Sequence, residues 1–119
     1  MYTSNFAKYN HMTAEQRGCC VSIARVSPWW YKGIWCRELA PPIHLLKWWR
    51  ESGKTVDDQR KYKDIYKRQV LAGADPQTIA KIYGEYAILL CWEAKGKFCH
   101  RRIVAGWIEQ KLGIEVPEL

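Results

Sequence analysis

Ala87-Ile88-Leu89-Leu90-Cys91-Trp92-Glu93-Ala94-Lys95-Gly96-Lys97-Phe98-Cys99-His100-Arg101-Arg102 decides the fold, because it reads as a buried strand, a turn and the start of a helix. The apolar run from Tyr86 to Cys91 is short and unbroken, the pattern of a strand covered on both faces, and a glycine-containing turn follows it. From Cys99 onward Ile103, Val104, Trp107, Ile108 and Leu112 recur at helical spacing, with Gly113 as a stop signal. Cys99 and His100 are therefore expected in the first turn of that helix. Unpaired backbone N–H groups and the positive end of the helix dipole favour anions there and activate a nearby thiol. Arg101 and Arg102, with Lys95 and Lys97 just before them, stand at the wrong end of the dipole, so a negative group is expected to offset them.

Three readings of this junction compete. Cys91 and Cys99 can be small buried hydrophobes, with His100 a packing residue and the cations a solvated rim. The junction can be an anion or phosphate site, which explains the misplaced charges. Or it can carry thiol chemistry or a metal, with Cys99 as nucleophile beside His100 as base, or Cys91, Cys99 and His100 as ligands. A metal is the reading the spacing disfavours, since no Cys-x-x-Cys pair is present and adjacent Cys99 and His100 do not easily share one tetrahedral centre. No cofactor is expected.

Working outward, Cys20-Val21-Ser22-Ile23-Ala24-Arg25 reads as a second strand that stops at Ser27-Pro28 and leaves Arg25 at its carboxyl end. Tyr2 to Phe6 reads as another. Pro28, Gly33, Pro41 and Pro42 punctuate an aromatic segment from Trp29 to Leu39, expected as an ordered loop over the site with Trp30 and Tyr31 in supporting positions. Ile43 to Glu51 reads as a helix after the proline pair. Thr55, followed by Asp57 and Asp58, opens a longer helix expected to run to Gly73, with Arg60, Lys61, Lys63, Lys67 and Arg68 on its outer face. Asp75 and Pro76 open a short helix through Tyr83, closed by Gly84. The tail Ile114 to Leu119 is expected to be a peripheral extension. This order predicts an α/β fold, one small domain over residues 1–119 with a mainly parallel sheet flanked by helices. In such sheets ligands bind at the carboxyl ends of the strands, where Arg25, Cys91, Glu93 and the Cys99-His100-Arg101 helix start converge.

At 119 residues with 48% hydrophobic and 26% charged side chains, the composition is that of an ordinary globular domain. No apolar run reaches the roughly 20 residues needed to span a bilayer, and Met1 to Asn5 lacks a signal-peptide pattern, so a cytoplasmic protein with no membrane partner is expected. The 5 cysteines are odd in number and include the neighbours Cys19 and Cys20, which makes reduced thiols the expectation over a disulfide framework. The formal charge of +7 and an isoelectric point near 9.3 draw the chain toward nucleotides, nucleic acid or an acidic protein partner. The 7 Trp and 7 Tyr, several beside cations as in Trp29-Trp30-Tyr31-Lys32 and Lys47-Trp48-Trp49-Arg50, suit base stacking as well as core filling.

Val21-Ser22-Ile23-Ala24-Arg25 with Pro28, and later Leu89-Leu90-Cys91-Trp92-Glu93 followed by Cys99-His100-Arg101, resemble the family called domain of unknown function 488, found in bacteria, archaea and phages. Tyr2 to Lys8, the Trp30-Tyr31-Lys32-Gly33 loop and the Leu39-Ala40-Pro41 step are similar to its compact subgroup. The resemblance implies a small α/β domain whose polar signature falls on Arg25, Cys91, Glu93, Cys99, His100 and Arg101. It implies no activity.

The expected function is thus nucleotide- or nucleic-acid-directed. Arg25 and Arg101 would hold an anionic group, Glu93 and His100 would transfer protons, and Cys99 would act as nucleophile or packing residue. If the target is a glycosidic bond, Glu93 is the carboxylate expected near the anomeric carbon. The alternative is a basic binding module without chemistry, phage-encoded and directed at host machinery, using the Arg60 to Arg68 helix and the Trp29 to Trp35 loop.

Overall fold

Four strands lie side by side and all parallel in the computed structural model, which describes residues 1–119. They are β1 (Tyr2–Asn5), β2 (Cys20–Ser22), β3 (Ile34–Trp35) and β4 (Ile88–Cys91), in the order β1-β4-β2-β3. β4, the last four residues of the apolar run, is buried at every position because it has strands on both sides and helices on both faces, whereas Tyr86 at the start of that run lies outside the strand and is exposed. The α/β expectation is met. Alternation sorts the side chains: Val21 and Leu89 join one core cluster with Leu45, Tyr66, Ile79, Val104 and Ile108, whereas Cys20, Ile88 and Leu90 join Phe6, Met12 and Tyr31 in a second.

The helices follow their local signals. Short α1 (Phe6–Tyr9) and α2 (Ala14–Gly18) lie between β1 and β2. α3 spans Ile43–Glu51, as the proline pair predicts. α4 (Val56–Gln69) starts at a reciprocal capping box in which Thr55 Oγ1 accepts from the Asp58 amide and Asp58 accepts from the Thr55 amide. It ends four residues before Gly73, where the chain tightens into a 3-10 turn over Leu71–Gly73 that buries Leu71. α5 (Pro76–Tyr83) starts at Asp75, and α6 (His100–Leu112) stops at Gly113, whose φ of 68° is the left-handed conformation that favours glycine. No helix is long and apolar enough to cross a membrane.

Three expectations need correction. The Trp29 to Leu39 segment is not wholly irregular, since Ile34 and Trp35 form β3 against Val21 and Ser22. Tyr31 sits against the sheet with its hydroxyl donating to the carbonyls of Cys20 and Ile34, and Trp30 stacks on Tyr9 on that same side. The tail is peripheral only in position. It runs beside β1, where the Thr3 amide donates to Pro117 and the Leu119 amide donates to Thr3, with Val116 fully buried. β1 would otherwise present an open sheet edge, and the tail covers it.

Candidate functional site

Parallel pairing of β2 with β4 brings the residues after Ser22 and after Cys91 to one edge of the sheet, and the turn over 92–99 returns the start of α6 to that edge. A cleft of about 720 Å³ opens there. Arg25, Cys91, Glu93, Cys99 and His100, all selected from sequence, line it. So do Lys47, Trp49 and Arg50 of α3, Tyr62 of α4, and Trp92 and Phe98. Arg101, Trp30 and Tyr31 do not.

Arg25 is exposed at the rim, anchored by its Nε–H to the Pro41 carbonyl at 3.0 Å, which leaves its terminal nitrogens without protein partners. Trp92 bridges the two strand ends by donating its indole N–H to the Val26 carbonyl at 2.6 Å. Glu93, the one carboxylate on the lining, places Oε2 3.6 Å from Cys91 Sγ. Burial, with Glu93 close by, holds the Tyr62 phenol well above its ordinary pKa, so it remains a proton donor at neutral pH. The α3 cations Lys47 and Arg50 escaped the sequence reading. Their signal was the Lys47-Trp48-Trp49-Arg50 interleaving, but only the packing of α3 turns two of its cations toward the cleft.

His100 is the first residue of α6, and Cys99 is its N-cap rather than part of its first turn. The extended backbone of Cys99 (φ −155°, ψ 145°) followed at once by helix swings both side chains to one side, with Cys99 Sγ 3.8 Å from His100 Nδ1. His100 Nε2 lies 2.7 Å from the Ile23 carbonyl and must therefore carry the proton, leaving Nδ1 with a lone pair toward the sulfur. Burial pushes the imidazole pKa down to about 4, against the opposing Ile23 contact, so the ring is neutral at pH 7.

Reduced thiols throughout were expected, and here the structure differs. Cys91 and Cys99 are joined by a disulfide, while Cys19, Cys20 and Cys36 are free. Counting cysteines could not anticipate this, because the pair meets only when α6 starts beside the end of β4. Both are buried.

The expected counter-charge to the basic helix start is also found, but in the tail. Arg101, with no exposed side-chain surface, pairs Nε with Glu118 Oε1 at 2.6 Å, and Glu118 is 12% exposed. Its other nitrogens donate to Cys91 Sγ at 3.2 Å and to the Ala94 carbonyl at 3.3 Å. Arg102 donates to Thr3 Oγ1 and the Val116 carbonyl, so both arginines tie α6 to the β1 edge. Arg101 thus supports the site from behind, through Cys91.

No curated protein and no solved structure matches the chain. A family model described as "Active DUF488-N3 subclade" matches residues 7–112, which include Arg25, the β4 end and the α6 start. The chain therefore belongs to the domain of unknown function 488 family, in the subclade designated DUF488-N3a.

Proposed function

We propose that the chain is a nucleotide- or nucleoside-directed α/β enzyme that binds its substrate in the cleft at the carboxyl ends of β2 and β4. The observation that carries this reading is the composition of that cleft: three cations, Arg25, Lys47 and Arg50, and the aromatic rings of Trp49, Tyr62, Trp92 and Phe98 surround one carboxylate, Glu93. Cations suit a phosphate, aromatic rings suit a base or sugar face, and the position is where open parallel sheets bind ligands. Arg25 would hold the anionic group through the nitrogens its Pro41 contact leaves available. Glu93, exposed and beside the Tyr62 ring, is the proton-transfer group and, for a glycosidic substrate, the carboxylate at the anomeric carbon. His100 is assigned a positioning role, because its Nε2 is held by Ile23 and the ring is neutral. The subclade's description as active favours chemistry over passive binding.

A second reading, a non-catalytic nucleic-acid module, is favoured by Trp29, which is 86% exposed on its loop. Against it, two of the outer α4 cations are already paired, Arg60 with Asp57 and Arg68 with Asp64. Thermal stabilisation of the full chain by nucleosides, nucleoside monophosphates, inorganic phosphate and oligonucleotides separates the readings. The enzyme reading expects stabilisation by a mononucleotide that Arg25→Ala abolishes and Trp29→Ala leaves intact. Stabilisation by oligonucleotides alone, lost in Trp29→Ala, would replace it with the binding module.

A further inference from the structure

We propose that, once the Cys91–Cys99 disulfide is reduced, Cys91, Cys99 and His100 bind a single zinc ion at the floor of the cleft. Their ligand atoms lie within 4.8 Å of one another and all three residues are buried. The spacing objection raised by adjacent Cys99 and His100 is removed by the N-cap geometry, which turns both side chains to the same point with Sγ and Nδ1 3.8 Å apart. Tetrahedral zinc with bonds of roughly 2.0–2.3 Å places its ligands about 3.3–3.8 Å from each other, so that pair already has the required separation. The Cα atoms of Cys91 and Cys99 are 7.5 Å apart. That exceeds the roughly 4.4–6.8 Å usual for a disulfide but is readily spanned by two thiolates on one ion.

The surroundings are those of a metal site. The proton on His100 Nε2 goes to the Ile23 carbonyl, the outer contact that fixes a ligating imidazole with its other nitrogen bare. Arg101 donates to Cys91 Sγ and is itself paired with Glu118, so a partly neutralised cation compensates the thiolate charge. Glu93 Oε2 lies 3.6 Å from Cys91 Sγ on the cleft side. Reduction by a phosphine and water breaks the Sγ–Sγ bond, giving two thiols and the phosphine oxide. Zinc binding then releases two protons and forms two Zn–S bonds and one Zn–N bond. The proposal is independent of the nucleotide reading.

The test uses the full chain, reduced with a phosphine under anaerobic conditions and titrated with Co²⁺ as a spectroscopic stand-in for Zn²⁺. The expected result is one equivalent bound with a thiolate-to-cobalt charge-transfer band, displaced by Zn²⁺, absent before reduction, lost in Cys91→Ser and in Cys99→Ser, and retained in Cys36→Ser. In case a variant does not fold, alkylation mapping of the reduced native chain gives the second readout. Zn²⁺ should protect Cys91 and Cys99 and leave Cys19 reactive. A folded reduced chain that binds no cobalt, a band that survives both serine substitutions, or protection confined to Cys19 and Cys20 would overturn the proposal.

Discussion

Glu118→Gln removes the charge that faces Arg101 while keeping the side chain's size. Arg101 is fully buried, Glu118 nearly so, and their contact is 2.6 Å long, so the substitution leaves a guanidinium in the interior without its counter-ion. Removing one partner of a buried pair costs about 3–5 kcal/mol, and because Gln retains an acceptor oxygen the lower figure is expected. About 3 kcal/mol is a large share of the roughly 5–15 kcal/mol that holds a domain folded. Urea denaturation should show a markedly lower midpoint with an unchanged slope. Asp64→Asn serves as control, since the Arg68–Asp64 pair is about two-thirds exposed on both sides, 69% and 66%, and its loss should cost less than about 1 kcal/mol. A Glu118→Gln effect no larger than that of Asp64→Asn would refute the claim that the tail charge holds the start of α6.

Three other outcomes are expected. His100, with its pKa lowered to about 4 in the folded state against 6.5 in the free side chain, leaves the unfolded chain binding the extra proton. Its contribution is complete above about pH 6.5 and is lost as pH falls toward about 4, up to about 3 kcal/mol, so His100→Gln should flatten the fall in stability that urea titrations show over that interval. Gly113→Ala forces a side chain into the left-handed cap of α6 and should cost about 1–2 kcal/mol by the same method. Brief iodoacetamide treatment of the unreduced chain should label half-buried Cys19 ahead of the other cysteines, with Cys91 and Cys99 unlabelled until reduction; prior labelling of Cys99 would show that the bond does not form in solution.

What could be read from the sequence was whatever is encoded locally. The proline pair before Ile43, Thr55 with Asp58, Asp75 with Pro76, and Gly113 each act within one helical turn, and each marks a helix end in the structure. β4 was legible because burial on both faces leaves an unbroken apolar run. Arg25 and Glu93 could be placed on one edge, where both line the cleft, because in an open parallel sheet the carboxyl ends of the strands lie together. β3 was missed because two residues carry no periodicity and become a strand only by pairing with β2. Arg101 was assigned to the cleft because its partner Glu118, 17 residues on, reaches it only after the tail is laid along β1. The Cys91–Cys99 bond was hidden for a similar reason: the turn between the two residues decides whether they meet.

Whether the carboxyl edge of β2 and β4 binds the ligand can be read from backbone amide chemical shifts of the full chain during titration with a nucleoside monophosphate. The shifts are expected to concentrate at Ala24 to Val26, Lys47 to Arg50, Cys91 to Glu93 and Phe98 to His100, the segments that line the cleft. Shifts confined to the outer face of α4 or the Trp29 loop, with the cleft segments unmoved, would contradict it.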